Sequence, residues 1–192
     1  MRGVSGPEEH LRADAVRNRA ALLEAAAEVL AAAPHASLAE VATRARLGRA
    51  TLYRHFDNRD ALIAAIRAEV LARAATALAD ADLAQCDTRE GLRRAAAALV
   101  PLGLRFRILL AEGADTDPEF LAARDRTLAP LAALLERGRA AGEVAATPST
   151  AWLAMALAGL LMTAVRAAAA GVVDPVDAGE LVAAAFLDGF GG

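Results

Sequence analysis

Residues 37–62, SLAEVATRARLGRATLYRHFDNRDAL, decide the fold of the N-terminal part of this chain. The stretch predicts a short helix from Ser37, a tight turn at 46–48 and a second short helix over 49–56. Ser37 and Glu40 have the spacing of a capping box, in which hydroxyl and carboxylate each satisfy a free backbone N–H. The pattern predicts a helix–turn–helix, whose second helix enters the major groove of DNA.

The second helix of this motif separates apolar from polar side chains. Leu52 and Phe56 lie four residues apart and predict a buried stripe. The opposite face predicts DNA contacts, because arginine reads guanine, threonine touches a thymine methyl or a phosphate, and tyrosine and histidine donate to phosphates. An ordinary solvated face is the alternative. The predicted contacts are Arg49, Ala50, Thr51, Tyr53, Arg54 and His55, with Arg59 as a backbone contact at the start of the next helix.

Composition and charge fit a helical chain with a local basic patch. Among the 192 residues 56% are hydrophobic and only 4% aromatic, and alanine, the best helix former, is abundant. We expect an all-α fold. The net charge is −3, but residues 37–59 hold five arginines against two acids, a local charge of +3. Such a patch matters more for phosphate binding than the sum over the chain. All 21 basic residues are arginine, for which coding bias is the expected cause, and selection for bidentate contacts to phosphate or guanine is the alternative at a few positions.

Several other classes of protein are disfavoured by the sequence. Cys86 is the only cysteine, so no disulfide framework or cysteine-rich zinc site is expected within one chain. Charged residues interrupt the N-terminus, and the apolar run at 151–165 is short for a membrane span. No arrangement typical of an enzyme is present, and we expect no cofactor and no bound metal. A cytoplasmic protein without catalytic activity is expected.

The order of the elements predicts two functional parts. We expect a disordered arm at 1–12, a helix–turn–helix DNA-binding domain at 13–58 with a first helix from about Asp14, and a connecting helix at 59–81. Residues 82–192 are expected to form a regulatory, ligand-binding and dimerisation domain. Its helices are predicted near 89–102, 104–112, 118–141, 149–170 and 176–189, giving about nine helices in all.

The apolar helix near 149–170 carries two stripes that support different interpretations. One stripe predicts the wall of a ligand pocket, although ordinary core packing is the alternative for each residue. The second stripe and the last helix predict a four-helix dimer interface, with packing inside one subunit as the alternative. The predicted pocket residues are Arg105, Phe106, Leu109, Phe120, Trp152, Met155, Met162 and Arg166; the predicted interface residues are Leu157, Leu160, Leu161, Val182, Phe186 and Phe190.

The segment from Arg17 to Ile66 resembles the DNA-binding domain of the TetR family of bacterial transcriptional regulators. The run TLYRHF at 51–56, followed by RDAL at 59–62, carries most of this resemblance. It implies a homodimer that binds a palindromic operator, usually as a repressor, and often leaves DNA when a small molecule enters the body. It also implies a phosphate near Ser37. Arg46 departs from the family pattern, because glycine is common at that turn position.

The resemblance leaves two rival functions open. One is a DNA-binding regulator whose body only dimerises and senses no small molecule. The other is a helical ligand-binding protein whose DNA-binding motif is vestigial. The operator, the effector and the sign of regulation are not predicted by the sequence.

Overall fold

In a computed structural model the structure describes residues 7–106 and 117–191, with side chains from residue 19 onward. Within these ranges the chain forms nine α-helices, one 3-10 helix (Leu83–Gln85) and no strand, which confirms the all-α prediction. The α-helices are α1 (Pro7–Ala32), α2 (Leu38–Arg44), α3 (Arg49–His55), α4 (Arg59–Asp80), α5 (Thr88–Arg105), α6 (Pro118–Thr127), α7 (Ala129–Ala140), α8 (Thr150–Ala169) and α9 (Ala178–Phe190).

The described residues divide into two compact units, and the division falls inside α4. The first unit contains α1 to α3, the part of α4 up to Glu69, and Phe106. The second contains Val70–Arg105 and the described residues from Asp117 onward. The helix predicted to connect the two parts at 59–81 therefore contributes residues to both units.

The first unit is built around short apolar stripes from each of its helices. In α1 the buried side chains include Leu23 and Leu30, and in α2 they include Leu38 and Val41. Each large aliphatic side chain that leaves water in this way contributes about 1.5–3 kcal/mol to folding. The full set of large buried side chains in this unit is Leu22, Leu23, Leu30, Leu38, Val41, Leu52, Phe56, Leu62, Ile63, Ile66 and Phe106.

The second unit is organised around α5, which packs against α7, α8 and α9. Its buried stripe, including Leu92 and Val100, meets buried leucines of α8 and Phe186 of α9. The approach of α9 to α5 is close, because a Cβ atom added at Gly179 would lie 2.9 Å from the carbonyl oxygen of Arg93. Small residues at this crossing let the two backbones pack together.

Two helix boundaries differ from those predicted, and one predicted helix cannot be compared. The first helix begins at Pro7, so residues 7–12 of the predicted arm are helical, and proline suits this first helical position. The helix expected to stop at Pro101 continues to Arg105, because residues 97 and 101 both face solvent, where the carbonyl freed by proline is accessible. The helix expected at 104–112 lies mostly outside the described residues.

The single helix predicted at 118–141 is two helices, α6 and α7, which meet at Leu128. Pro130 lies in the first turn of α7 and has no N–H with which to extend the hydrogen bonds of α6. Helix α8 alone, among the described helices, is long and apolar enough to cross a membrane by length and composition. Core helices of soluble proteins pass the same test, and α8 buries Leu153, Leu157 and Leu161 within its own unit.

Candidate nucleic-acid interface

Helix α2 begins with the predicted capping box. The backbone N–H and the hydroxyl of Ser37 both donate to Oε2 of Glu40 at 2.8 Å, and the Ser37 hydroxyl accepts from the Glu40 N–H at 3.3 Å. These bonds from Ser37, with a smaller contribution from the charge of Arg44, lower the pKa of Glu40 below its ordinary value. The cap fixes where α2 begins and keeps Ser37 exposed at its N-terminus.

The turn after α2 is a Schellman motif. The N–H of Leu47 donates to the carbonyl of Ala42 at 2.9 Å, and the N–H of Arg46 donates to the carbonyl of Thr43 at 3.3 Å. Arg46 adopts the left-handed conformation that this motif requires, with φ of 56°. Gly48 then caps α3 with an extended backbone. The turn thus joins two seven-residue helices with only Ala45 to Gly48 between them.

Helix α3 has the two faces that the sequence predicts. Leu52 is fully buried and Phe56, at its C-cap, is 4% exposed, so both side chains anchor the helix to its unit. Tyr53 is 51% exposed although it is an aromatic residue. The structure therefore brings the predicted DNA contacts together on one open face: Arg49, Ala50, Tyr53, Arg54 and His55 are exposed and Thr51 is half-buried.

The cations of this face are available for a ligand. In the part of the chain that the structure describes, neither Arg49 nor Arg54 forms an ion pair or a side-chain hydrogen bond. Unpaired guanidinium groups on one short helix form a surface that attracts a polyanion and can bond bidentately to guanine or phosphate. This face has the chemistry of a DNA-reading helix.

Arg59 differs from the other predicted contacts. Its side chain is half-buried, and its Nη2 donates to the carbonyl oxygen of Pro34 in the loop between α1 and α2. The neighbouring Asn58 accepts from the N–H of Ala61 at 2.8 Å and caps the start of α4. Arg59 therefore holds the start of α4 against that loop, and its contact with a DNA phosphate stays a prediction.

The predicted pocket residues lie in different surroundings within the described part of the chain, and their role in ligand binding stays a prediction. Trp152, Met155 and Met162 are 48%, 73% and 39% exposed on the outer face of α8, and Arg166 is exposed on the same helix. Phe106 is buried in the first unit and does not belong to the body. Arg105 is exposed at the end of α5, Phe120 is half-buried on α6, and Leu109 lies outside the described residues.

One cleft in the body does contain a predicted residue. It is open to the surface, has a volume of about 290 Å³, and lies among α6, α7 and α8. Seven of its nine lining residues are apolar, and one of these is Met155. No sequence pattern indicates this cleft, because it depends on the break between α6 and α7. Its lining is Arg124, Asp125, Leu128, Leu131, Ala132, Ala151, Ala154, Met155 and Ala158.

The predicted interface residues lie mainly inside the subunit, which corrects their assignment. Leu157, Leu161, Val182 and Phe186 are buried by packing among α5, α8 and α9, so their surfaces are not free for a second chain. Leu160 and Phe190 are half-buried, and the ring of Phe190 lies 5.2 Å from that of Trp152 in an edge-to-face contact. The stripe left open is the other one: Trp152, Met155, Gly159 and Met162 on α8, with Leu181 and Ala185 on α9.

Comparison with known proteins supports the interpretation of the first unit. Residues 22–66 match the model of bacterial regulatory proteins of the tetR family. This range contains α2, the turn and α3 in full. No curated protein matches the chain in sequence.

Solved structures resemble the chain over most of its length. The TetR-like regulator LfrR from Mycobacterium smegmatis, in complex with proflavine, is 25% identical, with a TM-score of 0.74 over 90% of this chain and 96% of that one. PfmR from Thermus thermophilus is 25% identical (TM-score 0.72; 87% and 97% covered). A regulator from Marinobacter aquaeolei shares the fold at 24% identity (TM-score 0.73; 94% and 98% covered). Residues 22–66 therefore match the DNA-binding domain of the tetR family of bacterial regulatory proteins, and the chain shares the fold of TetR-like regulators, which together support a DNA-binding transcription regulator.

Proposed function

We propose that this protein is a cytoplasmic homodimeric repressor that binds a palindromic operator and leaves it when a small, largely apolar molecule binds the body. The open cationic face of α3 carries the DNA-binding part of the proposal, because Arg49 and Arg54 have no partner among the described residues. Phosphate contacts set the position of such a helix and base contacts set its sequence preference.

The dimer is supported by the open apolar stripe on α8 and α9. Over the most apolar 18 residues of α8, only 22% of the stretch is buried within the subunit. Gly159 is exposed, and a Cβ atom added there would meet nothing within 4 Å, so packing inside the subunit does not require glycine. A second copy that packs closely on this stripe would explain both features. Two reading helices about 34 Å apart then match two half-sites one DNA turn apart.

The test of DNA binding is selection from random-sequence DNA by the purified protein at two salt concentrations. A palindromic motif whose affinity falls steeply with salt is the expected result. Recovery of nothing above background, even at low salt, would contradict DNA binding and favour the rival in which the motif is vestigial.

The effector part of the proposal rests on the cleft among α6, α7 and α8. Its volume lies near the lower end of small-molecule sites, and its lining is mostly apolar with Arg124 and Asp125 at one side. Helix α4 continues from the first unit into the second, so a shift of this helix would connect ligand binding to DNA binding. A coupling of about 1–3 kcal/mol is enough to change occupancy of the operator.

Proflavine is a suitable first probe, because the similar regulator LfrR has been solved with it. We expect it to release the protein from a labelled operator, and the Ala154→Trp variant, which fills the cleft, to bind the operator normally but resist release. A planar aromatic cation also stacks between base pairs, and release by that route would be equal in both proteins. Equal release would contradict the cleft as the effector site.

A further inference from the structure

Three of the described helices end in the same Schellman motif. After α2, α7 and α8 the first residue beyond the C-cap has a left-handed backbone: Arg46 with φ of 56°, Gly142 with φ of 75° and Gly171 with φ of 70°. At each end the following N–H reaches back to the helix, at 2.9 Å from Leu47 to Ala42, 2.8 Å from Glu143 to Gly138 and 2.9 Å from Val172 to Ala167. The geometry is shared, and only the residue type differs.

Glycine is the residue that this position favours, because it has no Cβ to crowd a left-handed backbone. The two motifs in the body follow this preference. A further residue with positive φ, Asp82 with φ of 47°, belongs to a short polar type that tolerates the conformation. Arg46 has neither advantage, so the first unit holds a long cation in a strained conformation where glycine would be relaxed.

No side-chain contact with the described residues compensates for this strain. The Arg46 side chain is exposed and forms no ion pair or hydrogen bond with the described residues. It lies three residues before Arg49, the first residue of α3, and two residues after Arg44, which is also exposed. The strained cation thus adds to the positive charge at the N-terminal end of the reading helix.

We propose that Arg46 is a further DNA contact, and that its guanidinium binds a backbone phosphate beside the groove that α3 enters. The proposal rests on the proposed DNA-binding function. A phosphate contact positions the protein without reading sequence, so its loss weakens binding to all sequences alike. The strained backbone lowers folding stability, and arginine is kept at this position because its side chain contacts DNA.

Two substitutions separate the contact from the strain. Arg46→Gly removes the charge and relaxes the backbone, so we expect the melting temperature to rise by a few degrees. Affinity for operator and unrelated DNA should both fall by about three- to tenfold, and the slope of log affinity against log salt should decrease by about one. Arg46→Lys keeps charge and strain and should bind DNA almost as the unsubstituted protein does.

The mirror variant Gly142→Arg places the same residue in the same motif of the body, where an added Cβ meets nothing within 4 Å. It should lower the melting temperature and leave DNA binding unchanged. Unchanged affinity and salt slope in Arg46→Gly would overturn the proposal, as would equal losses in the Gly and Lys variants. If the unsubstituted protein binds no DNA at low salt, the proposed function fails, and the contact fails with it.

Discussion

Helices α3 and α8 each bury one face and leave the other open, but their open faces have opposite chemistry. In α3, Leu52 is buried while Arg49 and Arg54 stand exposed without an ion pair among the described residues. In α8 three of the four leucines are buried, while Met155, at 73%, is among the most exposed apolar side chains. A cationic face is well solvated in the free protein and suits a partner that binds reversibly. Exposing an apolar face to water is unfavourable, so such a face suits a partner that stays bound.

The arginines of the body show that solvent exposure alone does not leave an arginine available to bind DNA. Arg93 and Arg94 both bond to Glu90 at 2.7 Å, and Arg139 donates to the carbonyl of Pro148 in the loop before α8 and to the hydroxyl of Thr150 at the start of that helix. These side chains hold helices and loops in place. The comparison therefore predicts that substitutions of open arginines in α3 affect DNA binding, whereas substitutions of paired arginines in the body affect folding.

The largest effect is expected from Met155→Glu, which places a carboxylate on the open face of α8. If a second copy covers this face, the dimer buries two unpaired charges, and its dissociation constant should rise by about a hundredfold or more. The monomer should stay folded, because this side chain is 73% exposed in one subunit. Sedimentation equilibrium measures the change.

The control for this variant is Ala122→Glu, which adds the same charge at an exposed position of α6. It should leave the dimer intact. A Met155→Glu protein that remains dimeric at the concentrations where the parent does would show that the dimer uses another surface.

A smaller effect is expected from Arg54→Ala on the open face of α3. Loss of a bidentate contact to guanine costs about 1–3 kcal/mol, so affinity for the selected operator should fall by about five- to 150-fold and base preference should relax at one position. Electrophoretic mobility shifts with operator variants measure both. Arg126→Ala, at an exposed position of α6, is the matched control and should bind normally. Unchanged operator affinity in Arg54→Ala would rule out this role.

The same comparison explains what could be predicted from the sequence. The capping box, the turn and the reading helix are signals between residues close in the chain, and the predicted boundaries of α2 and α3 are nearly those observed. The faces of α8 were assigned wrongly at Leu157 and Leu161, because this helix is apolar on several sides. The buried face of α8 is the one against which α5 packs. The periodicity of apolar residues within α8 does not indicate which face that is.

The two units can also be compared through their helix caps. Ser37 caps α2 within a reciprocal capping box, whereas Ser149 caps α8 through a single bond of 3.4 Å from the N–H of Trp152. We expect Ser37→Ala to lower the free energy of unfolding by about 1 kcal/mol, and Ser149→Ala to lower it by less. Chemical denaturation of both variants tests this order, and an equal or larger loss from Ser149→Ala would contradict it.

The smallest expected effect is on folding stability at low pH. It tests whether the paired arginines of α5 act only in folding. Hydrogen bonds from Arg93 and then Arg94 lower the pKa of Glu90 from 4.5 to about 2. A carboxyl whose pKa is lower in the folded state stabilises the protein above its unfolded pKa. This contribution should be complete above about pH 4.5 and lost as the pH falls towards about 2.

Glu90→Gln should therefore make the melting temperature less sensitive to pH over that interval, while Glu136→Gln, at an exposed position of α7, should not. At neutral pH the Glu90→Gln protein should bind the operator with unchanged affinity, even though it frees two arginines. A gain in DNA affinity would mean that any unpaired arginine strengthens binding. DNA affinity would then depend on the number of unpaired arginines and not on their position on α3.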